Sequence, residues 1–114
     1  MKAIKIKVYG RVQGVNFRVG VKTFCDKKEI DGYVLNRENG SVFIFAQGSS
    51  VSLLELVSWV KESPGFCKVE GIEQESCSVK KEFEGFRIRY ERDFISDQVQ
   101  SFKNLGKSVF YKVL

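Results

Sequence analysis

Ile4, Ile6 and Val8 alternate with Lys5 and Lys7 near the start of the chain, and a few residues later the spacing of apolar residues changes. The stretch Ala3 to Val8 has a period of two, which belongs to a strand with one buried face ending near Tyr9. From Phe17 onward, Phe17, Val21, Phe24 and Cys25 recur at i, i+4, i+7 and i+8. Lys22, Asp26, Lys27 and Glu29 fill the other side, the stripe of an amphipathic helix. A single element cannot satisfy both periods. The chain therefore turns between them, and Gly10 to Asn16 is a strand-to-helix loop with a glycine at each of positions 10 and 14 and an arginine at 11, followed by Arg18 at the helix start.

A loop of this kind suits an anion. Glycines permit backbone angles that turn successive N–H groups inward, and a helix start adds orphan N–H groups and the positive end of its dipole. Arg18, at that helix start, presents a planar fork able to grip two phosphate oxygens. By composition alone, an ordinary tight turn with solvated arginines fits equally well. The three residues between Gly10 and Gly14 match neither a Walker A loop nor a dinucleotide fingerprint.

The rest of the chain continues the alternation of strands and helices. The first helix is expected to end near Glu29-Ile30-Asp31-Gly32, with Gly32 taking the left-handed turn. A second strand covers Tyr33 to Asn36, and Arg37-Glu38-Asn39-Gly40 carries the Asn-Gly hairpin signal. In the third strand, Ser41 to Gln47, Val42, Ile44 and Ala46 face one way and Phe43 and Phe45 the other. Helix two starts within Ser49 to Ser52, with Ser52 and Glu55 at capping-box spacing, and buries Leu53, Leu56, Val57 and Val60. Trp59 in this helix reads as a packing residue. The helix ends before Ser63-Pro64-Gly65, and Cys67 to Ser78 and Phe86 to Tyr90 read as two further strands. The order βαββαββ implies a mainly antiparallel sheet with two helices on one face, an α+β sandwich of the ferredoxin-like kind.

With 114 residues, 43% of them hydrophobic, one core in one domain is enough. Histidine is absent, which excludes serine–histidine and cysteine–histidine nucleophilic sites and histidine metal ligands. Cys25, Cys67 and Cys77 form no CxxC pair, so neither a disulfide framework nor a zinc site is indicated. None of them has an arginine six positions later, as a cysteine-based phosphatase requires; those positions hold Asp31, Glu73 and Phe83. No apolar run approaches the ~18 residues of a membrane span, and the opening strand leaves no export signal, so a cytoplasmic protein with reduced thiols is expected. The net charge of +5 favours anionic ligands without selecting among them.

Gly10-Arg11-Val12-Gln13-Gly14-Val15-Asn16-Phe17-Arg18 resembles the signature of the acylphosphatase family, Gly-Arg-Val-Gln-Gly-Val-x-Phe-Arg. Gly32-Tyr33-Val34-Leu35-Asn36, followed by a short turn and Gly40-Ser41-Val42, resembles the family's second block. The likeness extends through Ser63 to Glu70 and ends at Phe86-Arg87-Ile88-Arg89-Tyr90, covering about Ala3 to Tyr90. Within the blocks, Asn16 stands where the family usually has glycine, an aromatic or a small residue, and Arg37 where it often has a small hydroxyl residue.

This resemblance implies the ferredoxin-like fold and hydrolysis of a small-molecule acyl phosphate without metal or cofactor. By carry-over, Arg18 binds the phosphoryl group, Gly14, Val15, Asn16 and Phe17 present backbone N–H groups to it, and Asn36 orients the attacking water. One rival is a single-stranded nucleic-acid-binding module, since RNA-recognition domains share the βαββαβ order. Against it, only Phe43 falls where the strand-three consensus requires aromatics, and strand one offers lysines. Another rival is a catalytically idle interaction domain, as in larger carbamoyl-transfer proteins; the chain's own length favours the free enzyme.

Residues 1–90 form the expected domain and 91–114 an extension. Ser96 is expected to cap a short helix with Val99, Phe102 and Leu105, stopped by Gly106, before an apolar run from Val109 to Leu114. Lys5, Lys7, Phe43, Phe45, Arg87 and Arg89 fall on the sheet face away from the helices. The extension of a monomer, or a second subunit in a homodimer, is expected to cover part of that face, because exposed phenylalanines there would otherwise form an adhesive patch.

Overall fold

The computed structural model describes residues 1–90 and, as backbone alone, the strand 108–112. The elements follow as β1 (Lys2–Arg11), α1 (Phe17–Lys27), β2 (Asp31–Asn36), β3 (Val42–Gly48), α2 (Ser50–Lys61), β4 (Lys68–Cys77), β5 (Phe86–Ile88) and β6 (Ser108–Lys112). They form one sheet in the order β5-β2-β3-β1-β4-β6, antiparallel except between β2 and β5. This is the ferredoxin-like α+β sandwich.

The period of two in β1 becomes the two faces of the sheet. Ile4, Ile6 and Val8 pair with Ala46, Ile44 and Val42 on β3, and all six are buried with Val21 and Cys25 of α1 and Leu53, Leu56 and Val60 of α2. Trp59 stacks on Phe24 at 4.9 Å between ring centres and lies nearly parallel to Phe17 at 6.3 Å, so it packs the two helices together. On the other face, Lys7 stands opposite Glu73 in register and pairs with it at 3.3 Å.

Several boundaries differ from the sequence expectation. β1 does not stop at Tyr9: a bulge between Tyr9 and Gly10 keeps the strand paired with β4 through Arg11. Glu29, not Gly32, takes the left-handed position after α1 (φ 55°). The Glu29 and Ile30 N–H groups then donate to the carbonyls of Asp26 and Cys25 at 3.4 and 2.9 Å, a Schellman closure. Gly32 sits inside β2, where a Cβ would run into the Phe45 carbonyl. The cap of α2 is Ser49, whose hydroxyl accepts from the Ser52 N–H at 3.1 Å; Ser52 is already inside the helix.

Part of the face away from the helices is covered from within residues 1–90. Phe43 and Phe45 are 1% and 0% exposed, so neither is available to stack on a base. The connection between β4 and β5 lays Phe83 against Phe45 and Tyr33, with ring centres 5.3 and 5.2 Å apart. Lys5 is buried in the same layer. β6 pairs along β4 from Gly71 opposite Lys112 to Glu75 opposite Ser108. The helix expected over Ser96 to Leu105 and its stop at Gly106 lie outside the described residues.

Candidate active site

The loop between β1 and α1 is shaped by two left-handed residues, Gly14 (φ 74°) and Asn16 (φ 60°). Asparagine is among the few side-chain-bearing residues that occupy this region readily, which accounts for Asn16 at a position where glycine also serves. Asn16 stands at the N-cap of α1, but its side chain makes no capping bond, and its carbonyl accepts from Gly20 N–H at 3.2 Å. Among the described residues, no other main-chain carbonyl outside the helix engages the N–H groups of Val15, Asn16, Phe17 or Arg18. Phe17 turns its ring into the core, anchoring the helix start, while Val15 packs on the edge of that core.

These residues border a concavity of about 370 Å³ lined by Val12, Gly14, Asn16, Phe17, Arg18, Val19, Asn36, Ile88 and Tyr90. Two elements distant in sequence thus meet there, the loop with Arg18 and the end of β2 with Asn36. Arg18 is half-buried and pairs with no carboxylate among the described residues. Asn36 Oδ1 is buried and accepts no hydrogen bond among the described residues. A buried carbonyl oxygen without a donor costs about 1–3 kcal/mol, a cost that a bound water or ligand donor would relieve.

Of the residues singled out from the sequence, Gly14, Asn16, Phe17, Arg18 and Asn36 line the concavity, and Val15 does not. Arg11 is exposed and donates to the Phe66 carbonyl at 3.3 Å. Sequence reasoning missed Tyr90, whose ring faces the Arg18 guanidinium, although it closes the last block of the family resemblance. Gln13 was also missed. Its Nε2 donates to the carbonyls of Arg37 and Ser41 at 2.7 and 2.9 Å, joining the loop to the β2–β3 turn. Among the described residues, none of the nine that line the concavity is a carboxylate, thiol or imidazole, so they supply no general acid, general base or metal ligand of those kinds. They offer backbone N–H groups, the Arg18 guanidinium, the carboxamides of Asn16 and Asn36, and the Tyr90 phenol.

The family described as acylphosphatase matches residues 4–88. An acylphosphatase of Pasteurella multocida is 37% identical over 83 residues, covering 73% of this chain and 92% of that protein. One of Ligilactobacillus salivarius is 40% identical over 91 residues, covering 79% and 100%. The crystal structure of acylphosphatase from Bacillus subtilis superposes with a TM-score of 0.75 at 38% identity, covering 79% of this chain and all of that one. No helix among the described residues is long and apolar enough to cross a membrane.

Proposed function

The chain belongs to the acylphosphatase family, and from that premise we propose that it hydrolyses acyl phosphates, with Arg18 binding the phosphoryl group and Asn36 orienting the attacking water. The observation that carries this reading is the meeting of the Arg18 guanidinium and the buried, unpartnered Asn36 Oδ1 in one concavity.

The chemistry fits this sparse set of groups. The leaving group of an acyl phosphate is a weakly basic carboxylate, so its departure needs no general acid. Water oxygen forms the new bond to phosphorus, the bond to the acyl oxygen breaks with its electron pair staying on the carboxylate, and the water protons remain on the phosphate released. Charge on the equatorial oxygens is met by the N–H groups of Gly14 to Phe17 and by the guanidinium fork of Arg18, which act by position and field. Asn36 Oδ1 accepts from the water, fixing its line of approach without any titration. The donor set calls for no cofactor.

Hydrolysis of benzoyl phosphate with chelator present tests the reading. Arg18→Ala and Asn36→Ala should each lower kcat by on the order of 10² to 10³, the usual cost of removing one preorganised group. Parent-level turnover in either variant would refute that residue's role. Absence of turnover in the parent, with salt-dependent binding of single-stranded RNA, would instead support the nucleic-acid module.

A further inference from the structure

We propose that Gln13 is the positioning residue that holds Asn36 at its working distance from the anion loop, an inference resting on the reading of Asn36 given above. The Gln13 side chain acts where the two halves of the site meet. Its Nε2 donates to Arg37 O at 2.7 Å and to Ser41 O at 2.9 Å. These two carbonyls close the β2–β3 hairpin, since Arg37 N–H donates to Ser41 O at 2.8 Å and Gly40 N–H to Arg37 O at 3.1 Å. Inside the turn, Asn39 Oδ1 accepts from Ser41 N–H at 3.0 Å and from the Ser41 hydroxyl at 2.6 Å.

The turn is therefore bonded within itself, and one nitrogen fastens both of its ends to the loop. Gln13 lies between Val12 and Gly14, which line the concavity, and Arg37 directly follows Asn36. Any drift of the hairpin away from the loop would carry the Asn36 carboxamide with it. A displacement near 1 Å at a reacting group can cost about 10² in rate, so a link of this kind bears on kcat.

Gln13→Met keeps the length of the side chain while removing both donors, and Gln13→Ala is the second variant should methionine disturb folding. The expected result is a fall in kcat of about 10- to 100-fold, with inhibition by inorganic phosphate unchanged within about twofold because Arg18 and the start of α1 are untouched. Combining Gln13→Met with Asn36→Ala should cost little beyond Asn36→Ala alone, which a merely structural role would not produce. Parent-level kcat in Gln13→Met beside a silent Asn36→Ala would overturn the positioning role alone. A parallel loss of phosphate affinity would overturn it as well, assigning Gln13 to the anion loop instead. Parent-level turnover in Asn36→Ala would overturn the underlying reading and this inference together.

Discussion

The Arg18 guanidinium stands over the face of the Tyr90 ring, 5.9 Å from its centre, in the wall of the concavity that both residues line. A cation at this distance from an aromatic face gains about 0.5–1 kcal/mol at an exposed site, and the ring also blocks one side of the volume through which the guanidinium would swing. Tyr90→Ala should therefore weaken inhibition by inorganic phosphate about two- to fivefold, while Tyr90→Phe keeps the parent value. An unchanged inhibition constant in Tyr90→Ala would show that the ring does not hold the arginine.

The glycines of the first block are needed for different reasons, and the same substitution separates them. Gly10 has φ 126°, and a Cβ there would run into the Lys68 carbonyl and lie 2.8 Å from Glu70 N. Neither is a flexible side chain that can move aside. Gly14 also has a positive φ, 74°, but no atom lies within 4 Å of its Cβ position. Gly10→Ala should leave too little folded protein for a cooperative melting transition, or lower its midpoint steeply, whereas Gly14→Ala should fold and lose about 1–2 kcal/mol. Urea denaturation of the two variants side by side checks this; equal losses would contradict the difference in crowding.

How much of this was legible before the structure depended on the range of each interaction. The faces of β1 and β3 follow from alternation, because Ile4, Ile6, Val42 and Ile44 bury one side wherever the sheet goes. The loop and Arg18 stood out by their local chemistry, whereas Asn36 was marked by the family resemblance alone. Boundaries set by geometry were not legible. Gly10 and Arg11 read as loop, yet a bulge keeps them paired, and three serines precede the same apolar stripe while Ser49 has the extended backbone of a cap (φ −69°, ψ 153°) and Ser50 and Ser52 lie inside the helix. The contacts of Gln13 and Tyr90 join segments far apart in sequence, so no local pattern announced them. Phe83, a lone aromatic in a polar connection, gave no periodic signal of the face it covers.

All three thiols are shifted in one direction, which gives the protein a defined response to alkali. Burial pushes Cys25, Cys67 and Cys77 above the ordinary thiol value of 9.0, most strongly for the fully buried Cys25. Just above pH 9 the unfolded chain has lost thiol protons that the native state retains, so stability is intact below that pH and falls as pH rises. The slope is at most about 1.4 kcal/mol per pH unit for each thiol fully protected. Lys5 acts the other way, because burial lowers its value below 10.5 and the native state releases that proton first. Tyr9, which burial pushes above its ordinary 10.0, acts with the thiols. With four groups against one, the urea midpoint should decline from pH 9 upward, and Cys25→Ala should flatten the decline. A midpoint that holds or rises over that range would refute the assignment of these shifts to burial.

Gln47 holds the layer opposite the helices in place, and its replacement should separate stability from activity. It is 2% exposed at the end of β3. Its Nε2 donates to the carbonyls of Lys80 and Phe83 at 2.8 and 3.3 Å, and its Oε1 accepts from Lys80 N–H at 2.8 Å. These bonds tie down the connection that lays Phe83 over Phe45 and Tyr33. Gln47→Leu conserves most of the volume but leaves those backbone groups without the amide, at a cost of about 1–3 kcal/mol unless the connection lifts away and takes up water. Lifting would uncover Phe45, so the variant should bind a hydrophobic dye and exchange amide hydrogens faster along β2 and β3. Register puts Gln47 opposite Asp31 and Asn36 opposite Val42, at the two ends of the same strand pair. Turnover measured well below the melting temperature should consequently match the parent, and a large fall in kcat without loss of stability would mean that this layer reaches the site after all.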